Sequence, residues 1–365
     1  MKNYSKVVEK MKSKQLSLKQ LKLTLEDINY LRDIGYNVKE QYDPRVEDYV
    51  YYIVTSGDTA YIKISEPLKK GQEVKLNLLE ISDLHCGCKN FDKDGLDKTL
   101  QEAQARGVEF VHISGDLIDG FGVYRGQENN LKLNKAIEQI NELMAVLEKY
   151  DFWYIASMGN HDQSFCMKGG LDPIKYLEAK MAKKGKKFTY LDAYEGNIIH
   201  AGIVFRLIHL SGGAARAASY KVQVYLSRVF ESNLNDVEIG GKIYNLRSIQ
   251  AGHFHTFYSL SMSGIRIIMP GNFQHDGDLE KRMGISGKTG GIFTELTIIG
   301  DKIAREKIEF FDPWEREEWY YERRFFNLTK SIKRSFKNAC NSVYIRRVRI
   351  DTRTNGRVDS SNRKH

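Results

Sequence analysis

The stretch Lys75-Leu76-Asn77-Leu78-Leu79-Glu80-Ile81-Ser82-Asp83-Leu84-His85 decides the fold. Leu76, Leu78, Leu79 and Ile81 form a short apolar run that stops abruptly at a carboxylate and an imidazole two residues apart. Such a run reads as a strand buried on both faces, the kind found in α/β sheets. Open α/β sheets place their ligands at the carboxyl ends of their strands, so Asp83 and His85 stand where an active site is expected.

Working outward, the pattern repeats. Val108–Ile113 is a second buried strand, preceded by a helix from about Leu96 to Arg106, and Phe152–Ala156 is a third. Between them Leu133, Ile137, Ile140, Met144 and Leu147 mark one face of a helix predicted over 129–149. Strand alternating with helix implies right-handed crossovers and a mostly parallel sheet. Beyond Phe188 strands dominate, with one clear helix from about Ser219 to Glu231.

Each strand ends in a polar cluster: Asp83-Leu84-His85, Gly115-Asp116-Leu117-Ile118-Asp119, Gly159-Asn160-His161-Asp162, His209-Leu210-Ser211-Gly212-Gly213 and Gly252-His253-Phe254-His255. Carboxylate, imidazole and amide oxygens are donors suited to divalent cations, and a shared Asp can bridge two of them. An unligated His beside such a pair can deliver a proton to a leaving oxygen. His112 and His200 read as core histidines, and His275 as a loop residue. Cys86 and Cys88 lack the spacing of a zinc site.

In this order the blocks resemble the calcineurin-like metallophosphoesterase superfamily, whose motifs run D-x-H, G-D-x-x-D, G-N-H-D/E, H and G-H-x-H. The resemblance spans Asp83 to His255. It implies a four-layer α/β/β/α sandwich, with Asp83, His85 and His255 on a first metal, Asn160, His209 and His253 on a second, and Asp116 bridging. It also implies His161 as the proton donor, oriented by Asp119, with Asp162 in a supporting role. The implied cofactor is a pair of divalent ions, Mn²⁺ first, with Fe and Zn²⁺ as alternatives.

Gly120 and Asp162 stand where the Ser/Thr protein phosphatase branch carries Arg and Glu. The pattern is nearer to the DNA-repair exonuclease branch and its phage relatives, although Thr256-Phe257-Tyr258 follows G-H-x-H where that branch usually has a Pro. The expected function is a dinuclear metal-dependent phosphoester hydrolase, a phosphodiesterase or nuclease on nucleic acid. The alternatives are a small-molecule (nucleotide) phosphodiesterase or phosphatase, and a non-catalytic binding module.

Residues 1–66 read as a separate helical unit. Ser17 with Gln20 and Thr24 with Asp27 have capping-box spacing, which predicts two short helices in tandem. The second carries Leu25, Ile28, Leu31 and Ile34 on one side and stops at Gly35. Tyr51–Val54 and Tyr61–Ile64 flank Thr55-Ser56-Gly57-Asp58, a hairpin signal. Helices followed by a two-stranded wing resemble the winged-helix family, but Glu26, Asp27 and Asp33 against Arg32 make a poor surface for phosphates. A protein partner suits this unit at least as well. The phosphoesterase domain is expected over 73–311 and a basic, partly disordered tail over 312–365.

The net charge is +9 over 365 residues. Arg323–His365 carries thirteen Lys/Arg against Asp351 and Asp359, so the tail holds the basic character and the rest is near neutral. A basic tail interleaved with Trp314, Trp319, Tyr320, Tyr321, Phe325 and Phe326 suits nucleic acid. Four cysteines form no disulfide framework, and no apolar stretch reaches membrane-spanning length. The first thirty residues have no apolar leader, so a cytoplasmic location without a membrane partner is expected.

Overall fold

The computed structural model describes residues 4–53, 59–212, 219–231, 236–239, 242–276, 287–314 and 319–324. The amino-terminal unit runs α1 (Tyr4–Ser13), β1 (Leu16–Ser17), α2 (Leu18–Leu21), α3 (Leu25–Asp33), β2 (Val38–Asp43) and β3 (Asp48–Ile53). Both capping boxes form: Ser17 caps α2 with Gln20, and Thr24 caps α3 with Asp27. Val8, Met11, Ile28, Leu31 and Val38 share a small core, but Leu25 and Ile34 lie on the exposed side of α3. The apolar stripe is therefore narrower than its spacing implies.

The expected hairpin is displaced. β3 pairs antiparallel with β2, Val38 opposite Ile53, around a turn in which Glu47 takes a φ of 51°. Tyr61–Lys63 instead forms β4, parallel to β9 (Glu195–His200) of the main body, where Ile62 packs with Ile198. Burial of Ile62 between two large sheets outweighs what a two-stranded wing would offer. The unit sits against the main body through side chains: Thr189 Oγ1 donates to Tyr42 O at 2.9 Å and Gln41 Nε2 to Tyr190 O at 3.1 Å. Glu178 accepts from both Tyr42 N and Tyr190 N.

The body continues with β5 (Glu73–Ile81), α4 (Lys93–Ala105), β6 (Phe110–Ser114), α5 (Ala136–Leu147), β7 (Trp153–Met158), α6 (Asn160–Gly169), α7 (Pro173–Lys183) and β8 (Phe188–Ala193). After β9 come β10 (Ile203–His209), α8 (Tyr220–Glu231), β11 (Asp236–Ile239), β12 (Lys242–Gly252), β13 (Phe257–Met262), β14 (Ile265–Pro270), β15 (Gly291–Ile299), β16 (Lys302–Phe311) and β17 (Trp319–Arg324). One sheet has the order β17-β16-β15-β5-β6-β7-β8, parallel from β5 to β8. The other has the order β13-β14-β12-β10-β9-β4, with β11 on β12.

Helices α4, α5 and α7 cover one face of the first sheet in a core that includes Leu100, Leu143 and Leu177. Leu78, Phe110 and Ile155 meet Phe205 and Leu207 between the sheets. Val222 and Leu226 of α8 cover the outside of the second sheet. The result is the α/β/β/α sandwich. α5 starts only at Ala136, and Ile137 faces solvent, because Leu133 belongs to the preceding loop, where its carbonyl accepts from Gln139.

The segment expected as a free tail begins differently. Trp314 donates Nε1 to Asp92 at 2.6 Å beneath Lys98, and β17 pairs antiparallel with β16. The remaining tail, 325–365, lies outside the described residues. Among the described residues no helix is long and apolar enough to cross a membrane.

Candidate metal centre

The five polar clusters converge because both sheets point their carboxyl ends at one place. Asp83 and His85 follow β5, Asp116 follows β6, and Asn160 and His161 open α6 directly after β7. From the second sheet His209 ends β10, and His253 and His255 follow β12, which runs parallel to β10. Three donor groups have their atoms mutually within 4.8 Å: Asp83, His85 and His255; His85, Asp116 and His161; Asp116, His209 and His253.

Hydrogen bonds fix which ring nitrogen faces inward. His209 donates Nδ1 to Ser114 O at 2.8 Å, which turns Nε2 to Asp116 Oδ2 and Asn160 Oδ1, each at 3.1 Å. His253 Nδ1 lies 3.1 Å from the same Asn160 oxygen, while its Nε2 donates to Gly212 O. His85 Nδ1 pairs with the Asp119 carboxylate at 3.0 Å, leaving Nε2 3.0 Å from His255 Nε2. Holding the outer nitrogen of an imidazole in this way orients the inner one as a ligand.

His161 donates Nδ1 to the backbone carbonyl of Asp119 at 2.7 Å, and the Asp119 carboxylate lies 3.5 Å away. Asp119 thus steadies His161 chiefly through its backbone, whereas its carboxylate is directed mainly at His85. Asp162 serves the loops rather than the cluster of imidazoles. It accepts from Gly159 N and Ile118 N, both at 2.9 Å, tying two of the loops together.

Backbone strain gathers at the same residues. Asp83, His85, Asp116 and His255 have φ near +50° and His253 has φ of 98°. Left-handed backbone at a residue with a side chain costs free energy and persists where the surrounding structure over-determines it.

The charges divide the histidines. Burial opposes protonation of His209, but Asp116 and Asp83 outweigh it and carry its pKa up to about 10. Burial likewise opposes charge on His161, and Asp116 with Asp119 raises it to about 9. His255 is pushed down to about 4 by burial, and His253 is lowered by burial and by His209. Burial works against the charge on Asp116, yet His209 and His161 hold its carboxyl well below the usual range.

This donor set fits a divalent cation. Two imidazole nitrogens, of His85 and His255, face each other with the buried Asp83 carboxylate beside them. Asn160 Oδ1 is shared by two more rings, and the proton on His209 supplies positive charge that a cation would replace. Cys86 takes no part: its thiol is buried and donates to Gln139 O. His112 is a buried core residue, pushed down to about 3 by burial, and His275 lies 3.5 Å from Asp92 at the surface.

Three glutamines support the site without any sequence signal. Gln250 Nε2 donates to Ile81 O and His112 O, linking the sheets beneath the cluster. Gln139 spans Gly120, accepting from its N and donating to its O, each at 3.0 Å. Gln127 donates to Asp119 O at 2.6 Å and Oδ2 at 3.0 Å. Their partners are mostly backbone groups, which carry no residue-type signal, so spacing cannot reveal them.

Gly159 is required for close approach: a Cβ there would collide with the Asp116 carboxylate. Gly159→Ala is expected to weaken Mn²⁺ binding roughly 10–100-fold by displacing Asp116, as measured by calorimetric titration. Unchanged affinity would show that Asp116 is not held by this contact.

Residues 76–257 match the family described as calcineurin-like phosphoesterase. A DNA polymerase II small subunit of Methanocaldococcus jannaschii is 27% identical over 258 residues, covering 60% of this chain and 42% of that protein. One of Thermoplasma acidophilum is 23% identical over 241 residues, covering 57% and 47%. The chain therefore spans less than half the length of these relatives. Among solved structures, Vps29 complexed with Zn²⁺ from Entamoeba histolytica is 12% identical, with 69% of this chain and 100% of that chain covered and a TM-score of 0.36. Through the domain formed by residues 76–257, the chain belongs to the calcineurin-like phosphoesterase family.

Proposed function

We propose that this protein is a dinuclear metal-dependent phosphodiester hydrolase acting on nucleic acid. The observation that carries this reading is the pair of donor groups, Asp83/His85/His255 and Asp116/His209/His253, joined by a third, His85/Asp116/His161. Asp83, His85 and His255 would hold one ion, and Asn160, His209 and His253 the other, with Asp116 between them. Two divalent cations, Mn²⁺ first, would supply Lewis acidity to the phosphate and lower the pKa of water.

The chain itself contributes position and a proton. His161 keeps Nδ1 on the Asp119 carbonyl, so Nε2 is the atom that can deliver a proton. The Asp119 contacts favour the protonated ring, the form a leaving-group acid must have. In hydrolysis a water oxygen bonds to phosphorus and releases a proton to solvent, the bond to the leaving oxygen breaks, and that oxygen takes the His161 proton, which solvent then restores. The amino-terminal unit is read as a winged-helix-like docking module, the basic tail as an electrostatic contact for nucleic acid, and the location as cytoplasmic.

The name of the relatives favours a second reading, in which the chain serves as a subunit of a larger assembly and hydrolyses nothing. The two separate by incubating the full chain with Mn²⁺ and end-labelled single-stranded DNA. Shortening that EDTA prevents supports the hydrolase. Intact DNA and intact bis-p-nitrophenyl phosphate, from protein shown to bind Mn²⁺, would overturn it.

A further inference from the structure

The loop that follows Asp119 has no assigned task, and it is built like a ledge. Gln127, fully buried, accepts from Val123 N at 2.8 Å and donates to both oxygens of Asp119 that it reaches, so the loop is joined to the residue that holds His161. Phe121 N donates to Ser164 Oγ, which in turn donates to His161 O at 2.7 Å. Lys168 Nζ closes the far side on the carbonyls of Phe121 and Gly122. Gly120 begins the loop because a Cβ there would strike the His161 carbonyl.

This rigid loop carries Phe121, 40% exposed, then Tyr124 and exposed Arg125. The Tyr124 ring centroid lies 6.3 Å from that of His161, and Asn130 Nδ2 donates to the Tyr124 hydroxyl at 3.4 Å. This aromatic surface is partly exposed beside the proton donor, with Lys168 Nζ 5.9 Å from the Phe121 ring centroid. It suits the flat face of a nucleobase, which stacks on aromatic rings with little regard for sequence, with a cation nearby for a flanking phosphate.

The structure assigns the 121–125 loop, centred on Tyr124, as the seat of an unpaired nucleobase on the leaving side of the scissile phosphodiester. The assignment rests on the hydrolase reading and on His161 as the leaving-group acid, and it narrows the substrate from phosphodiesters in general to single-stranded nucleic acid.

The test compares thymidine dinucleotides with analogues abasic in one unit or the other, using the full chain with Mn²⁺. Removing the base from the leaving unit is expected to lower kcat/KM about 10- to 100-fold, and removing the other base far less. In Tyr124→Ala the ratio should fall to near one, while Tyr124→Phe, which keeps the ring, should retain it. Phe121→Ala serves as a second variant should Tyr124→Ala misfold. Equal rates on all three substrates overturn the subsite and leave the hydrolase standing. Should no substrate be cleaved, fluorescence anisotropy of labelled oligothymidylate against an abasic oligomer decides: tighter binding of the former, lost in Tyr124→Ala, supports the subsite, and equal binding overturns it.

Discussion

Replacing Asp116 with Asn is expected to abolish hydrolysis of bis-p-nitrophenyl phosphate and to cost most of the Mn²⁺ affinity. Asp116 lies at the centre of the cluster: Oδ1 accepts from His161 N at 2.8 Å, and Oδ2 lies 3.1 Å from His209 and 3.9 Å from His85. Asn keeps the shape and one acceptor but removes the charge that both proposed ions would share. His161→Ala separates binding from chemistry, since it removes the proton donor while the two outer donor groups stay intact. A fall in kcat of about 10²–10⁴ with near-normal Mn²⁺ binding is expected. Full turnover in either variant would remove the mechanism proposed here.

The second large effect is on stability. Glu178 is buried on α7 where the amino-terminal unit meets β8, and burial pushes its pKa up to about 8 in spite of the backbone N–H groups of Tyr190 and Tyr42 that it accepts from. The folded chain therefore keeps a proton that the unfolded chain releases near 4.5. This contribution is complete below about 4.5 and is lost as pH rises to about 8, at about 1.4 kcal/mol per unit across the window. Glu178→Gln retains an oxygen for both backbone donors without the titration. Its Tm should exceed that of the wild type by a margin that grows from pH 5 to 8 and then levels, reaching a difference on the order of 4 kcal/mol. A margin that does not vary with pH would show that Glu178 titrates normally.

What the sequence made legible was whatever is local. Asp83 with His85, Gly159 through Asp162, and His253 with His255 are short blocks at strand ends, and a strand end followed by ligand-type side chains can be read within a few residues. His209, a lone His, became readable from its place after the apolar Phe205–Ile208 run. The hairpin was misplaced because strand pairing is a non-local choice: Tyr61–Lys63 and Tyr51–Ile53 have similar patterns, and only the presence of β9 decides which sheet β4 joins. Trp314 reads as tail because its anchor, Asp92, is more than two hundred positions away. Asp119 illustrates a finer limit, since a motif gives the residue but not whether its carboxylate or its carbonyl meets His161.

The donors come from two sheets that are joined mainly by apolar packing, so no half of the sandwich can assemble the centre alone. A cation bound there would act as a rivet through the two layers, and its occupancy would report whether they are seated. Ligand that binds only the assembled state adds about 1.4 kcal/mol of stability for each tenfold excess over its Kd. Thermal resistance that climbs with metal concentration would thus measure the closure of the sandwich itself, even in a variant that performs no chemistry.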